Sequence, residues 1–348
     1  MILYSEDYWR DIAKVVEFVP NKNNLFNHSI LITGANGMIC STVVELLHWM
    51  NHYLNANIHI FLAGRNEERM RKRFPFMNND LHYSFIPYEA TSSKKINVKA
   101  DYIIHCASNA DPHSFSEQPV ETMLANFIGL NSLLVSAIEK KSKRVLLVSS
   151  SEVYGKKEEK RPYKEDDYGF VNILNPRACY PNSKRAAETL CAAYMEEYDL
   201  NFVTVRPGHI YGPSILDSDS RASAQFSRNA KMGIDIVMKS AGSQLRSYCY
   251  TMDCASAILS VLINGKCGEA YNISNPKSIV SIREMAMALA NAGHVKIVFE
   301  KASEIEQKSY NLMDNSSLES LKLERLGWKA VFNIKDGAEN TLKYLQIR

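Results

Sequence analysis

The sequence predicts an α/β protein built on a doubly wound parallel sheet with helices on both faces, followed by a smaller α/β lobe. Three observations carry that reading. Apolar runs and amphipathic stretches alternate from residue 29 to residue 205, the pattern of strands joined by crossover helices. The first apolar run ends in a glycine turn, Thr33-Gly34-Ala35-Asn36-Gly37, that opens directly into a helix. At 348 residues the chain exceeds what one core usually holds, so a second lobe is expected.

Composition narrows the function classes. Hydrophobic residues make up 46% and charged residues 23%, the balance of an ordinary soluble globule. A net charge of +3 is too small to argue for nucleic acid or a membrane surface as a partner. The N-terminus carries Glu6 and Asp7 and no long apolar run, so no signal peptide is expected. No window is read as reaching the roughly 18 apolar residues of a membrane span. The seven cysteines are scattered, odd in number and without Cys-x-x-Cys spacing. They read as reduced thiols in the cytoplasm and argue against a zinc site. The nine histidines show no ligand spacing, and no metal is expected.

Taken in order, residues 1–28 form an N-terminal extension with one helix on the outside of the domain, capped by Ser5 and striped by Tyr8, Ile12, Val15 and Val16. Ser29–Thr33 is the first strand. Gly34 permits the tight turn, and Gly37 lets backbone N–H groups approach a pyrophosphate at the N-terminus of the next helix, Ser41 to Trp49. Thr33, Asn36, Met38 and Ile39 line the same turn. Cys40 occupies the third glycine position, which serves packing and not phosphate contact. The second strand, Ile58–Ala63, ends without the acid that would hold the ribose hydroxyls of NAD. Arg65 stands there instead, either to meet the 2′-phosphate of NADP or as a solvated loop residue. Glu67 to Arg73 is a charged, solvated helix face.

The third strand falls near Tyr83–Ile86 and the fourth at Asp101–His105. His105-Cys106-Ala107-Ser108 then lies at the carboxyl edge, where a cofactor sits in such sheets, with His105 read as structural. Glu117 to Lys140 is one long helix, and Ala125, Ile128, Leu130, Leu133, Leu134 and Ile138 suggest a core face plus a dimer face. Asn126 inside it needs a partner. Arg144–Ser149 is strand five, Tyr180–Tyr198 a helix and Asn201–Val205 strand six. The second lobe holds a strand at Ala270–Ser274 and helices at Ile282–Ala292 and Leu318–Leu326.

Strand five runs out into Ser149, Ser150 and Ser151. If the strand geometry persists, Ser150 and Glu152 point the same way. Tyr180 and Lys184, spaced i, i+4, stack on one helix face. An ammonium held close favours a phenolate and lowers its pKa from near 10. A serine hydroxyl aimed at the same substrate oxygen completes a proton-transfer unit for oxidising an alcohol or reducing a ketone. Tyr-x-x-x-Lys alone occurs by chance on many exposed helices. With the serine-tipped strand and the glycine turn it becomes a strong signal.

Together Thr33-Gly-Ala-Asn-Gly37, His105-Cys-Ala, Ser150, Tyr180-x-x-x-Lys184 and Arg206-Pro-x-x-x-Tyr211-Gly-Pro213 resemble the extended short-chain dehydrogenase/reductases. More narrowly, they resemble the NAD-dependent epimerase/dehydratase family acting on nucleotide sugars, across nearly all of residues 29–346. Ala107-Ser108-Asn109-Ala110-Asp111-Pro112, Ser151 to Gly155 and Lys184 to Cys191 are similar to its UDP-glucuronate decarboxylase branch. The resemblance implies a Rossmann-type NAD(P)-binding domain at 29–205. It implies a nucleotide-sugar-binding lobe at 206–348, with part of 246–275 crossing back. Ser150, Tyr180 and Lys184 are implied as the hydride-transfer set, with Asn126 supporting them. Glu152 falls where decarboxylases and 4,6-dehydratases place an acid that 4-epimerases generally lack. Cys106, Ala107, Ser108, Tyr180, Lys184 and Pro207 are implied at the cofactor, with Lys184 orienting its ribose, and Ser108, Glu152, His209, Arg221 and Arg246 at the nucleotide sugar.

Four features depart from the expected pattern: His209 replaces an asparagine, Ser214 replaces an arginine, the acid after the second strand is missing, and Cys40 stands at the third glycine position. The implied reaction oxidises the sugar C4 transiently and then decarboxylates, with 4,6-dehydration and 4-epimerisation as alternatives on the same core. A non-catalytic NAD(P)-binding module is the rival from another class, and such proteins usually lose one of the reacting residues. A homodimer joined through the 117–140 and 180–198 helices is also implied.

Overall fold

A computed structural model describes residues 2–108, 110, 112–302 and 313–347. The early apolar runs become β1 (Ser29–Thr33), β2 (His59–Gly64), β3 (Tyr83–Pro87), β4 (Tyr102–His105), β5 (Arg144–Val148) and β6 (Phe202–Pro207). They lie in the order β3-β2-β1-β4-β5-β6, extended beyond β6 by β10 (Ala270–Ile273), and every pairing is parallel. Alternate residues of each strand feed two different cores. Ile30, Ile32, Leu146 and Val148 face one core, and Leu31, Val145 and Leu147 face the other. That is why these strands read as continuous apolar runs.

The first core is covered by α1 (Glu6–Glu17), α2 (Met38–Leu54) and α8 (Thr251–Asn264). The second is covered by α5 (Pro119–Lys140) and α6 (Cys179–Tyr198). Ser5 caps α1 by accepting from the Tyr8 N–H at 3.3 Å, and Tyr8, Ile12, Val15 and Val16 are all buried. The extension is therefore more than an outer layer, because α1 packs on α2 and α8 and is part of the main core.

Several expected boundaries move for identifiable reasons. Gly37 caps α2, so the helix begins at Met38, ahead of the expected Ser41. The helix expected from Glu117 to Lys140 is α5 and begins at Pro119, while a separate short helix, α4 (Pro112–Glu117), precedes it, with the break at Gln118 (φ −132, ψ 55). Pro119 disfavours helical geometry in the residue before it. α5, with a mean hydropathy of 1.3 in its most apolar window, is long and apolar enough to cross a membrane, against the expectation that no window reached that length. It reads as a core helix: 56% of that window is buried, and α5 packs along α6. On α3 (Glu67–Arg73) the last residue leaves the solvated face, since Arg73 pairs at 2.7 Å with the fully buried Glu45.

The smaller lobe joins β7 (His209–Tyr211), β9 (Leu245–Tyr250), β11 (Ile279–Ser281) and β13 (Asn315–Ser316) in one sheet. A second, two-stranded sheet pairs β8 (Ile236–Met238) with β12 (Ile297–Phe299). α7 (Ala222–Lys231) and α9 (Ile282–Gly293) pack on each other. The helix expected at Leu318–Leu326 is the shorter Leu321–Glu324, and Ile334–Tyr344 closes the fold.

Candidate active site

In this strand order the direction of winding reverses between β1 and β4, and the crevice outside their carboxyl ends is where ligands bind. Gly34 stands there in left-handed conformation, with φ +69. A Cβ on it would lie 2.9 Å from the Ala107 amide nitrogen and the Cys106 carbonyl carbon, so only glycine fits. The Gly37 N–H closes the turn onto the Gly34 carbonyl at 2.9 Å. The N-terminus of α2 has no side-chain cap, which leaves its first N–H groups available to an anion. Asn36 Oδ1 in this turn and Ser149 Oγ at the end of β5 are buried without a partner. Such orphaned polar groups fit a dinucleotide laid across the crevice.

Thr33 takes another part than expected. Its hydroxyl accepts from the Cys106 and Ala107 N–H groups at 3.2 and 3.3 Å and meets His105 Nδ1 at 2.9 Å. It ties β1 to β4 and shapes the cradle from behind. Burial, aided by the Lys184 charge, pushes the His105 pKa down to about 3, in keeping with a structural histidine. Cys40 is fully buried in the main core, as its packing position requires. Met38 and Ile39 open α2, and the second lobe reaches them: Ser214 Oγ donates to the Met38 carbonyl at 3.0 Å, and Arg221 meets Met38 Sδ at 3.1 Å. Ala107 and Ser108 follow β4, and Pro207 ends β6. Asn109 and Asp111 lie outside the described residues. Arg65, just past β2, is largely exposed and lies 3.8 Å from Glu89.

The structure brings Ser150, Glu152, Tyr180 and Lys184 together. Tyr180 and Lys184 sit buried on α6, and Lys184 Nζ donates to the Val148 carbonyl at the end of β5 at 3.0 Å. Burial lowers the Lys184 pKa to about 8. The expected depression of the tyrosine is not found. Burial, then the charge of Glu152, raises the Tyr180 phenol above its ordinary range, and only the hydrogen bond with Ser150 and the Arg221 charge oppose them. Lys184 lies 5.8 Å from the ring centre, and desolvation is the largest influence on the phenol. Ser150 and Glu152 do converge, but not by strand alternation. Residues Ser151–Tyr154 form a 3-10 turn, with Ser150 Oγ accepting from the Glu152 N–H at 3.2 Å. Asn126 finds its partners: its Nδ2 donates to the Thr122 carbonyl at 2.8 Å and to Ser183 Oγ at 3.2 Å. Ser183 in turn donates to the Tyr180 carbonyl at 3.0 Å, so Asn126 steadies the helix that carries the tyrosine.

Sequence reasoning passed over Phe115 and Arg177. Phe115 stacks on Tyr180 with ring centres 4.4 Å apart, and Arg177 lies 4.7 Å over the Phe115 ring while its two terminal nitrogens meet Glu152 at 3.2 Å each. Arg177 stands just upstream of Tyr180, the one signal that could have raised it.

On the other wall, His209 and Arg246 come from adjacent strands, β7 and β9. Arg246 Nη1 donates to the Leu245 and Met313 carbonyls at 2.8 and 2.9 Å, and Arg221 is clasped by Asp219 at 2.6 Å. Burial, then the Arg246 and Arg221 charges, pushes His209 down to about 3, and its Nδ1 is buried without a partner. Two fixed guanidinium groups around a neutral imidazole suit an anionic ligand. Among the described residues no group of His, Cys, Asp or Glu is placed to hold a metal.

A parallel sheet wound in this order, with a glycine turn at its reversal, belongs to the Rossmann class of dinucleotide-binding proteins. Within that class, residues 30–274 match the profile of the NAD dependent epimerase/dehydratase family, and the chain belongs to this family. It is 29% identical over 336 residues to UDP-glucuronic acid decarboxylase 1 of Danio rerio, covering 94% of this chain and 74% of that protein. It is 25% identical over 333 residues to the dTDP-D-glucose 4,6-dehydratase of Homo sapiens, covering 92% and 90%. A similar fold is seen in the UDP-glucuronic acid 4-epimerase of Bacillus cereus, solved with UDP-glucuronic acid and NAD, at a TM-score of 0.75 and 20% identity over 91% of this chain and 98% of that one.

Proposed function

We propose that the chain is a nucleotide-sugar-modifying enzyme that oxidises the sugar C4 transiently with a bound NAD(P) and then decarboxylates a C5 carboxylate. The observation that carries this reading is Glu152, whose charge acts on a buried Tyr180 that also has Ser150 as a hydrogen-bond partner. Tyr180 takes the proton of the C4 hydroxyl, and Ser150 hydrogen-bonds the oxygen left behind. A nicotinamide supplies the hydride acceptor and donor. The C4 carbonyl then absorbs the electron pair released when the C5 carboxylate leaves as carbon dioxide, and C5 of the resulting enolate takes a proton, which Glu152 relays, so that the C4 ketone is restored for reduction back to the alcohol. Gly34, Asn36, Gly37, Met38, Ile39 and Ala107 would hold the dinucleotide. The lobe from residue 206 onward, with Arg221, Arg246 and His209, would hold the nucleotide sugar. Dehydration at C5–C6 is the second reading, favoured by the same acid. The test is to incubate purified protein with a panel of nucleotide sugars and read product masses. Loss of carbon dioxide from UDP-glucuronate is expected; loss of water from a neutral sugar, or an isomer of unchanged mass, would overturn decarboxylation.

The missing acid after β2 and the exposed Arg65 support a preference for NADP. Titration of both cofactors into the apo-protein should show it, and Arg65→Ala should erase it. A preference for NAD that Arg65→Ala leaves unaltered would overturn this part.

We also propose a homodimer through α5 and α6. Val120, Met123, Leu124 and Phe127 form one stripe along α5, exposed by 62, 45, 41 and 46%. Sedimentation at micromolar concentration should give twice the 39.4 kDa chain mass, and a lone 39.4 kDa species would count against the dimer. A cytoplasmic setting suits the seven thiols, none of which is in a disulfide.

A further inference from the structure

We propose that Arg177 is a specificity-determining residue that lets the site accept a sugar carrying its own carboxylate, by cancelling the charge of Glu152 and fixing that side chain beside Tyr180. The inference rests on the decarboxylase reading and adds a residue and a substrate requirement to it.

The geometry is built and not incidental. The guanidinium meets both oxygens of Glu152, Nη1 to Oε2 and Nη2 to Oε1, at 3.2 Å each, the fork-on-fork pairing that fixes orientation as well as charge. Both side chains are about two-thirds withdrawn from solvent, at 32 and 28% exposure, where screening is weaker than on an open surface. The face of the guanidinium rests on Phe115, itself only 2% exposed and stacked on Tyr180 at an interplanar angle of 18°. The main chain is held as well, because Asn175 Oδ1 accepts from the Arg177 N–H at 3.0 Å in a short turn that runs straight into α6. Acid, cation, ring and phenol therefore form one connected unit.

The chemistry explains why a cation belongs there. A 4-keto sugar that loses its C5 carboxylate must bring that carboxylate close to the group acting at C5. Two carboxylates in a partly dry site repel, and one is driven to take a proton unless a cation stands between or beside them. The other cations of the site are committed elsewhere. Lys184 donates to the Val148 carbonyl, Arg221 is clasped by Asp219, and Arg246 donates to main-chain carbonyls. Arg177 alone among these faces Glu152. A neutral sugar needs no such compensation.

The test measures binding, so that it stands apart from turnover. Calorimetry with the reduced dinucleotide NADPH added, which cannot accept the C4 hydride, would give the affinities of UDP-glucuronate and UDP-glucose for the wild type, Arg177→Gln, Arg177→Lys and the double variant Arg177→Gln/Glu152→Gln. Arg177→Gln should weaken UDP-glucuronate by about ten- to a hundred-fold, the size of a charge-assisted contact, and UDP-glucose by less than about twofold. Arg177→Lys should recover most of the loss. The double variant should recover it too, because the opposing carboxylate is gone. Equal weakening of both sugars, no weakening of either, or no recovery in the double variant would each overturn the proposal. A wild type that binds neither sugar would overturn it together with the decarboxylase reading. A wild type that shows the binding pattern but releases no carbon dioxide would overturn that reading alone.

Discussion

Tyr180→Phe is expected to reduce turnover of the nucleotide sugar by about 10²–10⁴-fold, the usual worth of a general acid–base group, and to leave dinucleotide binding in place. The substitution removes one oxygen and little else. The ring keeps its stack on Phe115, Lys184 keeps its bond to the Val148 carbonyl, and Asn126 still steadies α6 through Ser183. Without the phenol oxygen nothing takes the C4 proton, so no ketone forms and every later step is denied its starting material. The measurement is the initial rate of product formation beside a cofactor titration on the same preparation. A rate within a few-fold of wild type would remove Tyr180 from the proposed chemistry. A parallel loss of cofactor binding would show that the substitution acts through the fold.

Glu152→Gln separates the reaction into its parts. The variant should accumulate the 4-keto sugar and slow carbon dioxide release by about 10²–10⁴-fold. Two effects of the change can be signed from the structure. Removing the carboxylate charge takes away the second-largest influence holding the Tyr180 phenol high, so the first oxidation is eased. Removing one acceptor oxygen sets an amide donor against a guanidinium donor, so the pairing with Arg177 loosens from two contacts to one. Absorbance of the reduced nicotinamide, with mass spectrometry of the sugar after borodeuteride trapping, reads both steps in one sample. Turnover that survives the substitution would favour an epimerase, which only turns the ketone over and needs no acid beside it.

These residues also show what the sequence could and could not reveal. The glycine turn, the serine-tipped strand and the Tyr180–Lys184 pair were legible because each is a local pattern whose spacing sets its geometry. The same holds for Ser5 at the start of α1 and for the buried stripe behind it. The Arg177–Glu152 pair, the Phe115 stack and the Arg73–Glu45 pair were not legible, because each joins segments that only the finished fold brings together. The break before Pro119 was within reach of local rules, because a proline disfavours helical geometry in the residue before it. The direction of the Tyr180 shift was beyond any spacing rule. It depends on how completely the phenol is desolvated, which is a property of the whole site.

The strand at the far edge of the main sheet has a consequence for how the protein is made. β6, which ends in Arg206 and Pro207, borders β10, and β10 lies more than sixty residues further along, at 270–273. α8, which covers the same face, comes equally late, at 251–264. As the chain leaves the ribosome, the first half emerges with an unpaired edge and an uncovered apolar face, both open to association with other chains. The main sheet is therefore completed only after nearly half of the second lobe has been synthesised. A nascent chain halted near residue 210 should remain protease-sensitive and dependent on chaperones, although it already carries every residue of the proposed reacting set.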